Sequence, residues 1–87
     1  MKTLRIPEDR RDCVSLAVAE WRKAKGLSQM EASRLMDITQ ATLSRIERGK
    51  ASLVVEALVA LPDNDVREIL ARARRHNAAL GKTVLSA

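Results

Sequence analysis

Apolar residues along this 87-residue chain recur at helical spacing, and strand-like alternation is absent. Val14, Ala17, Val18 and Trp21 fall at i, i+3, i+4 and i+7, one stripe of a first helix. Pro7, followed by Glu8 and Asp9, suits its first turn, because proline needs no N–H partner there and acids favour the positive end of the dipole. Lys23 and Lys25 fall in its last turn, and Gly26 is placed to end it in the left-handed conformation. Ser28 and Glu31 have the S-x-x-E spacing of a capping box. A second helix therefore starts there and runs to about Met36, with Ala32, Leu35 and Met36 as its inward positions.

After "DIT", Thr39 caps a third helix and Gly49 stops it. Ser52 caps a fourth, which Pro62 terminates. Asp63 or Asn64 caps a fifth, with Val66, Ile69, Leu70, Ala73 and Leu80 on one side and Gly81 closing it. The pattern predicts an all-α chain of five short helices joined by tight turns, with the tail "KTVLSA" unassigned. No repeat, linker or low-complexity tract divides it, so residues 1–87 read as one domain.

Composition narrows the picture. With no Phe, no Tyr and a single Trp21, the core has to be aliphatic and small. Such chains are often stabilised by pairing with a copy of themselves. Sixteen Lys and Arg against eleven Asp and Glu leave a net charge of +5, which favours a polyanionic partner, nucleic acid or an anionic membrane surface. Cys13 is alone and opens the apolar run "CVSLAVA", so it reads as a small buried or half-buried thiol; there is no disulfide framework and no metal knuckle. "MKTLRIPEDRR" lacks the apolar core of a signal peptide, and "LVVEALVAL" is too short to span a bilayer. The expectation is a reduced, cytoplasmic, soluble protein.

The third helix carries the candidate chemistry. Leu43 and Ile46 point one way, with Thr42 near that side, while Gln40, Ala41, Ser44, Arg45 and Arg48 occupy the opposite arc. Small residues there let a backbone approach DNA bases, glutamine can pair with adenine, arginine with guanine, and an alanine methyl can touch thymine. On this helix alone an ordinary solvated face fits as well. A short capped helix, a three-residue turn and a helix with a polar outer face together make a helix-turn-helix unit. At this point "WRKAKGLSQMEASRLMDITQATLSRIERGK", residues 21–50, resembles the Cro- and phage-repressor-like (lambda-repressor-like, XRE-type) helix-turn-helix family. The most telling pieces are "KGLSQ" with Glu31 two residues on, and "LSRIERGK". The likeness covers about residues 10–61, with residues 28–48 as the helix-turn-helix unit.

The resemblance implies roles at matching positions. Gln29 would bond a backbone phosphate and brace the recognition helix; Thr39, Gln40, Ala41, Ser44 and Arg45 would face bases; Arg48, Gly49 and Lys50 would lie along phosphates. Arg22 and Glu47 match a partly buried ion pair tying the first helix to the third, although two unrelated surface charges would read the same way in sequence. The chain departs from the family where Ala32-Ser33 replaces Leu-Ala, where Asp37 replaces Gly, and where no proline follows Lys50. Asp37 can adopt the left-handed turn at some cost. The smaller Ala32 leaves volume for Leu35, Met36 or another helix to fill.

The second half reads as an interface. The fourth helix is apolar nearly all round, which predicts burial on more than one side. The C-terminal helix, about residues 64–80, adds its stripe and carries Arg67, Arg72, Arg74 and Arg75 on the opposite face, with Glu68 and Arg72 at i,i+4. Leu58, Leu61, Val66, Ile69, Leu70 and Ala73 are the expected homodimer interface, and two-fold pairing would set two recognition helices ~34 Å apart on DNA. His76 reads as a helix-surface residue, and Lys2 and Arg5 form an arm that could reach DNA. No nucleophile–base pair, glycine-rich phosphate loop or paired acids argue for an enzyme, a metal or a cofactor. The leading expectation is a repressor that binds a double-stranded DNA operator as a homodimer, with no membrane partner. The alternative is an antitoxin-type protein whose C-terminal segment binds a protein partner and which regulates its own gene through DNA binding.

Overall fold

The computed structural model describes residues 10–50 and 54–85, with side chains at 12–50 and 54–79. The expected first turn at Pro7, Glu8 and Asp9, the Lys2–Arg5 arm and the Ser52 cap lie outside the described residues. Five helices follow in order: α1 (Arg10–Ala24), α2 (Gln29–Leu35), α3 (Gln40–Glu47), α4 (Val54–Val59) and α5 (Asp63–Leu85). Among the described residues there is no strand.

Local chemistry accounts for most of the boundaries. Gly26 has φ +71°, its amide donates to the Lys23 carbonyl at 3.0 Å, and the Leu27 amide donates to the Arg22 carbonyl at 3.0 Å. These bonds satisfy the last carbonyls of α1 in a left-handed cap. A Cβ on Gly26 would meet nothing within 4 Å, so backbone conformation rather than space makes the glycine necessary. At α2 the capping box is complete: the Glu31 amide donates to Ser28 Oγ at 3.1 Å, and the Ser28 amide to Glu31 Oε1 at 2.8 Å. The Ser28 amide first, and the Ser28 side chain second, hold the Glu31 carboxyl below its ordinary range.

α2 and α3 pack against α1 around Trp21, whose side chain is fully enclosed with Ala17, Val18, Ala32, Met36, Leu43 and Ile46. The inward face of α2 differs from the sequence expectation. Ala32 and Met36 are buried, but Leu35 is 50% exposed and Ser33 is buried instead. At about 100° per residue, Ala32, Met36 and Ser33 share one arc and Leu35 falls outside it. Ser33 tolerates burial because its hydroxyl donates to the Met30 carbonyl at 2.8 Å. The unbranched Met36 fills the space beside the small Ala32.

α4 is buried on one side, not several: Ala57 is enclosed, whereas Val55 and Val59 are 68% and 78% exposed. α5 runs antiparallel to α1 and is longer than expected. Pro62 opens it, accepting on its carbonyl from the Asp65 and Val66 amides at 3.0 and 3.1 Å, so Asp63 and Asn64 sit inside the first turn rather than capping it. Gly81 does not close it; the helix continues through residues 82–85 of the unassigned tail. An interior glycine costs only about 1 kcal/mol, which a helix of 23 residues absorbs.

The α1–α5 contact places several residues of the expected interface within the subunit. Leu61, Ile69 and Ala73 are buried in the subunit's own core, with Leu58 and Val66 partly buried against it, while Leu70 remains 40% exposed. Arg67, Arg74 and Arg75 are exposed, but Arg72 is turned toward Glu20 of α1 at 3.6 Å and pairs with Glu68 at 3.2 Å. His76 is half-buried, its Nε2 2.9 Å from Glu20 Oε2. Cys13 is buried, as its setting predicts.

A buried acid joins the two helices. Asp65 accepts from Trp21 Nε1 at 3.1 Å and pairs with Lys25 at 2.8 Å. The Lys25 hydrogen bond first, and the Trp21 bond second, hold the Asp65 carboxyl below its ordinary value of 3.8. A carboxylate with a depressed folded pKa adds stability that is fully present above the unfolded pKa and disappears as pH falls through the folded one. Melting temperature should therefore drop below about pH 4, and Asp65→Asn should flatten part of that drop at a cost of about 1 kcal/mol near neutrality. Thermal scans of both proteins from about pH 6 to about pH 2 check this; parallel curves would contradict it.

Candidate nucleic-acid interface

The turn between α2 and α3 fixes how α3 is presented. Asp37 has φ +56°, the single non-glycine positive φ among the described residues, and the Ile38 amide donates to the Ser33 carbonyl at 3.0 Å. Aspartate tolerates this region better than most side chains but still carries strain. Asp37→Gly should raise the unfolding free energy by about 0.5–1 kcal/mol in denaturant titrations, strain relief exceeding the entropy added to the unfolded chain. A loss of stability would mean that the Asp37 side chain supports the turn.

Thr39 caps α3: its Oγ1 accepts from the Thr42 amide at 3.1 Å and donates to Thr42 Oγ1 at 2.8 Å. Its hydroxyl proton is thereby engaged, which leaves its methyl and a remaining lone pair for other contacts. At the other end Gly49 has φ +74°, its amide donates to the Ile46 carbonyl at 2.9 Å, and the Lys50 amide donates to the Arg45 carbonyl at 2.8 Å. This is the same left-handed cap that ends α1. It turns Arg48, Gly49 and Lys50 outward as an exposed basic corner. Leu43 and Ile46 are fully buried, which leaves Gln40, Ala41 and Arg45 exposed and Ser44 half-buried on the outer side.

Behind that surface α3 is locked to α1 and α2. Arg22 grips Glu47 with two bonds, Nε to Oε2 at 2.7 Å and Nη2 to Oε1 at 3.1 Å, with the side chains 13% and 9% exposed. Arg22 Nη1 also donates to the Leu27 carbonyl at 3.0 Å, and Gln29 Nε2 donates to Glu47 Oε1 at 3.1 Å. One planar guanidinium therefore aligns the end of α1, the entry to α2 and the last turn of α3. The pair expected between Arg22 and Glu47 is present. Gln29 is brought to it as a brace, with its second N–H and its carbonyl oxygen still available for other bonds.

The hydrophobic pattern does not announce the Asp65 link. Its signal was faint: a sole tryptophan whose indole N–H needs an acceptor once buried. Among the described residues no cluster of His, Cys, Asp and Glu could hold a metal ion, and no helix is long and apolar enough to cross a membrane.

Two capped helices meeting at a tight turn, the second with an apolar back and a polar outer face, define a helix-turn-helix DNA-binding unit. The chain belongs to the Cro- and phage-repressor-like helix-turn-helix family: the family model described as "Helix-turn-helix" matches residues 18–63. It is accordingly a DNA-binding transcription regulator. No curated protein and no solved structure gives a match to it.

Proposed function

We propose that the protein is a sequence-specific repressor that binds a pseudo-palindromic operator as a homodimer, with α3 in the major groove. The observation that carries this reading is the exposed arc of Gln40, Ala41 and Arg45 on a helix whose orientation is fixed from behind by the Arg22–Glu47–Gln29 network. In this reading Gln40 and Arg45 read base edges, Ala41 allows close approach and touches a thymine methyl, and Ser44 and the Thr39 methyl line the edges of the contact. Gln29, Arg48, the Gly49 amide region and Lys50 lie along phosphates. Repression follows from occupancy, since a compact unit works most simply by covering a promoter. Residues 1–87 act as one unit, built on the helical core of about residues 10–61.

The antitoxin alternative needs a C-terminal segment that adds a strand or folds on a partner. The helix of α5 reaching residue 85 gives that reading no specific support.

Lys50→Ala tests the phosphate assignment. Its main-chain bond to Arg45 is untouched, so the fold should hold. Binding should weaken by a similar factor on cognate and unrelated duplexes, and the slope of log affinity against log salt should shrink by about one unit. Fluorescence anisotropy at several salt concentrations measures both. A loss confined to one sequence would make Lys50 a base reader instead.

A further inference from the structure

The last turn of α1 is held on two sides. On the α5 side a single carboxylate oxygen, Asp65 Oδ1, accepts from Trp21 Nε1 at 3.1 Å and pairs with Lys25 Nζ at 2.8 Å. Trp21 and Lys25 are i and i+4, so the two bonds grip the helix at points one turn apart. Arg22 follows Trp21 in sequence and lies about 100° further round the helix. It bonds Glu47 and the Leu27 carbonyl, and Glu47 in turn holds Gln29.

The two sides are mechanically linked. A rotation of α1 by about 10° carries a group about 6 Å from its axis through about 1 Å. N–H···O bonds occupy a window of about 2.7–3.2 Å, so that movement breaks the bidentate contact of Arg22 with Glu47. Apolar packing resists such a rotation only weakly, because hydrophobic attraction has no direction. Two bonds to a charged acceptor do have direction. Asp65 is well placed to supply them: it is buried in the first turn of α5, with its own amide fixed to the Pro62 carbonyl at 3.0 Å.

We infer that Asp65 is a positioning residue for DNA binding. Its carboxylate fixes the last turn of α1, that turn places Arg22, and Arg22 with Glu47 places Gln29 and the last turn of α3. The first turn of α5 thus helps to set a surface that it does not form. This role rests on the reading of α3 and Gln29 as DNA-facing groups.

Substitution of Asp65 separates positioning from charge and from stability. Asp65→Ala removes a negative charge, and electrostatics alone would then tighten binding to DNA. Positioning requires the opposite: affinity for one duplex should fall by about 10-fold, measured where denaturant titration shows both proteins folded. Asp65→Asn keeps an acceptor for the indole and loses the charge facing Lys25, so its affinity should fall by about 3-fold; this milder variant decides the matter if Asp65→Ala does not fold. In both variants the NMR resonance of the Arg22 Nε–H should shift and exchange faster with water in the absence of DNA, which a merely structural role for Asp65 would not produce. Folded variants that bind as tightly as the wild type, or more tightly, overturn the inference. Arg45→Ala measured alongside tells the two readings apart. If it weakens binding and the Asp65 variants do not, the role of Asp65 fails and the α3 reading stands. If the Asp65 variants weaken binding and Arg45→Ala does not, base reading by Arg45 fails and Asp65 acts through Gln29.

Discussion

Replacing Glu47 with alanine should lower the unfolding free energy by about 2–4 kcal/mol and lower DNA affinity further than that instability explains. The first effect follows from what is left behind. Arg22 would remain nearly enclosed without its bidentate partner, and Gln29 Nε2 would lose its acceptor. Solvent reaches part of the pair, which keeps the cost below that of a fully buried ion. The second effect follows from position: the same carboxylate fixes the last turn of α3 and the entry of α2. A double variant, Arg22→Leu with Glu47→Leu, separates the two. Replacing both ions with apolar groups should restore most of the stability, since desolvation offsets much of the gain from such a pair. It should not restore affinity, because apolar contact does not orient Gln29 or α3. Denaturant titration and binding to one duplex measure each half. Recovery of both together would make the pair a stability element only.

Arg45→Ala should cost about 1–3 kcal/mol at the cognate site and relax the preference at one base pair. The fold should be untouched, because the bonds that cap α3 use the Arg45 main-chain carbonyl and its side chain is exposed. The size of the effect reflects a guanidinium that can donate two bonds to one guanine edge. An equal loss on every duplex would turn Arg45 into a phosphate contact and move base reading to Gln40 and its neighbours.

How much of this was legible in sequence depended on range. Caps are local, so Ser28 with Glu31, Thr39, Gly26 and Gly49 announced the ends of α1, α2 and α3 without any knowledge of the tertiary fold. The stripe of α1 was equally plain, because Trp21 and its neighbours repeat at helical period. In helix α2 the sequence pattern favours Leu35 for the inward face, because leucine is the better apolar residue. Ser33 was nonetheless the one turned inward, its hydroxyl satisfied by its own helix. Gly81 looks like punctuation because two other glycines are; nothing local distinguishes a glycine with positive φ from one inside a long helix. The Asp65 link joins residues 44 positions apart, and only the packing of α5 on α1 brings them together. The same packing drew Ile69, Ala73 and Leu61 into the core, which a stripe on an isolated helix cannot reveal. For the candidate site, the positions of α3 followed from helical geometry, whereas the Gln29 bond to Glu47 needed three helices in place.

The central claim is that the outer face of α3 reads base sequence. Selection of bound duplexes from a random library, run at two salt concentrations with the wild type and Arg45→Ala side by side, tests it most directly. The account predicts a two-fold symmetric motif for the wild type that survives the higher salt, and for the variant the same motif degenerate at one position in each half. Pools without a motif, or one identical motif for both proteins, would contradict it.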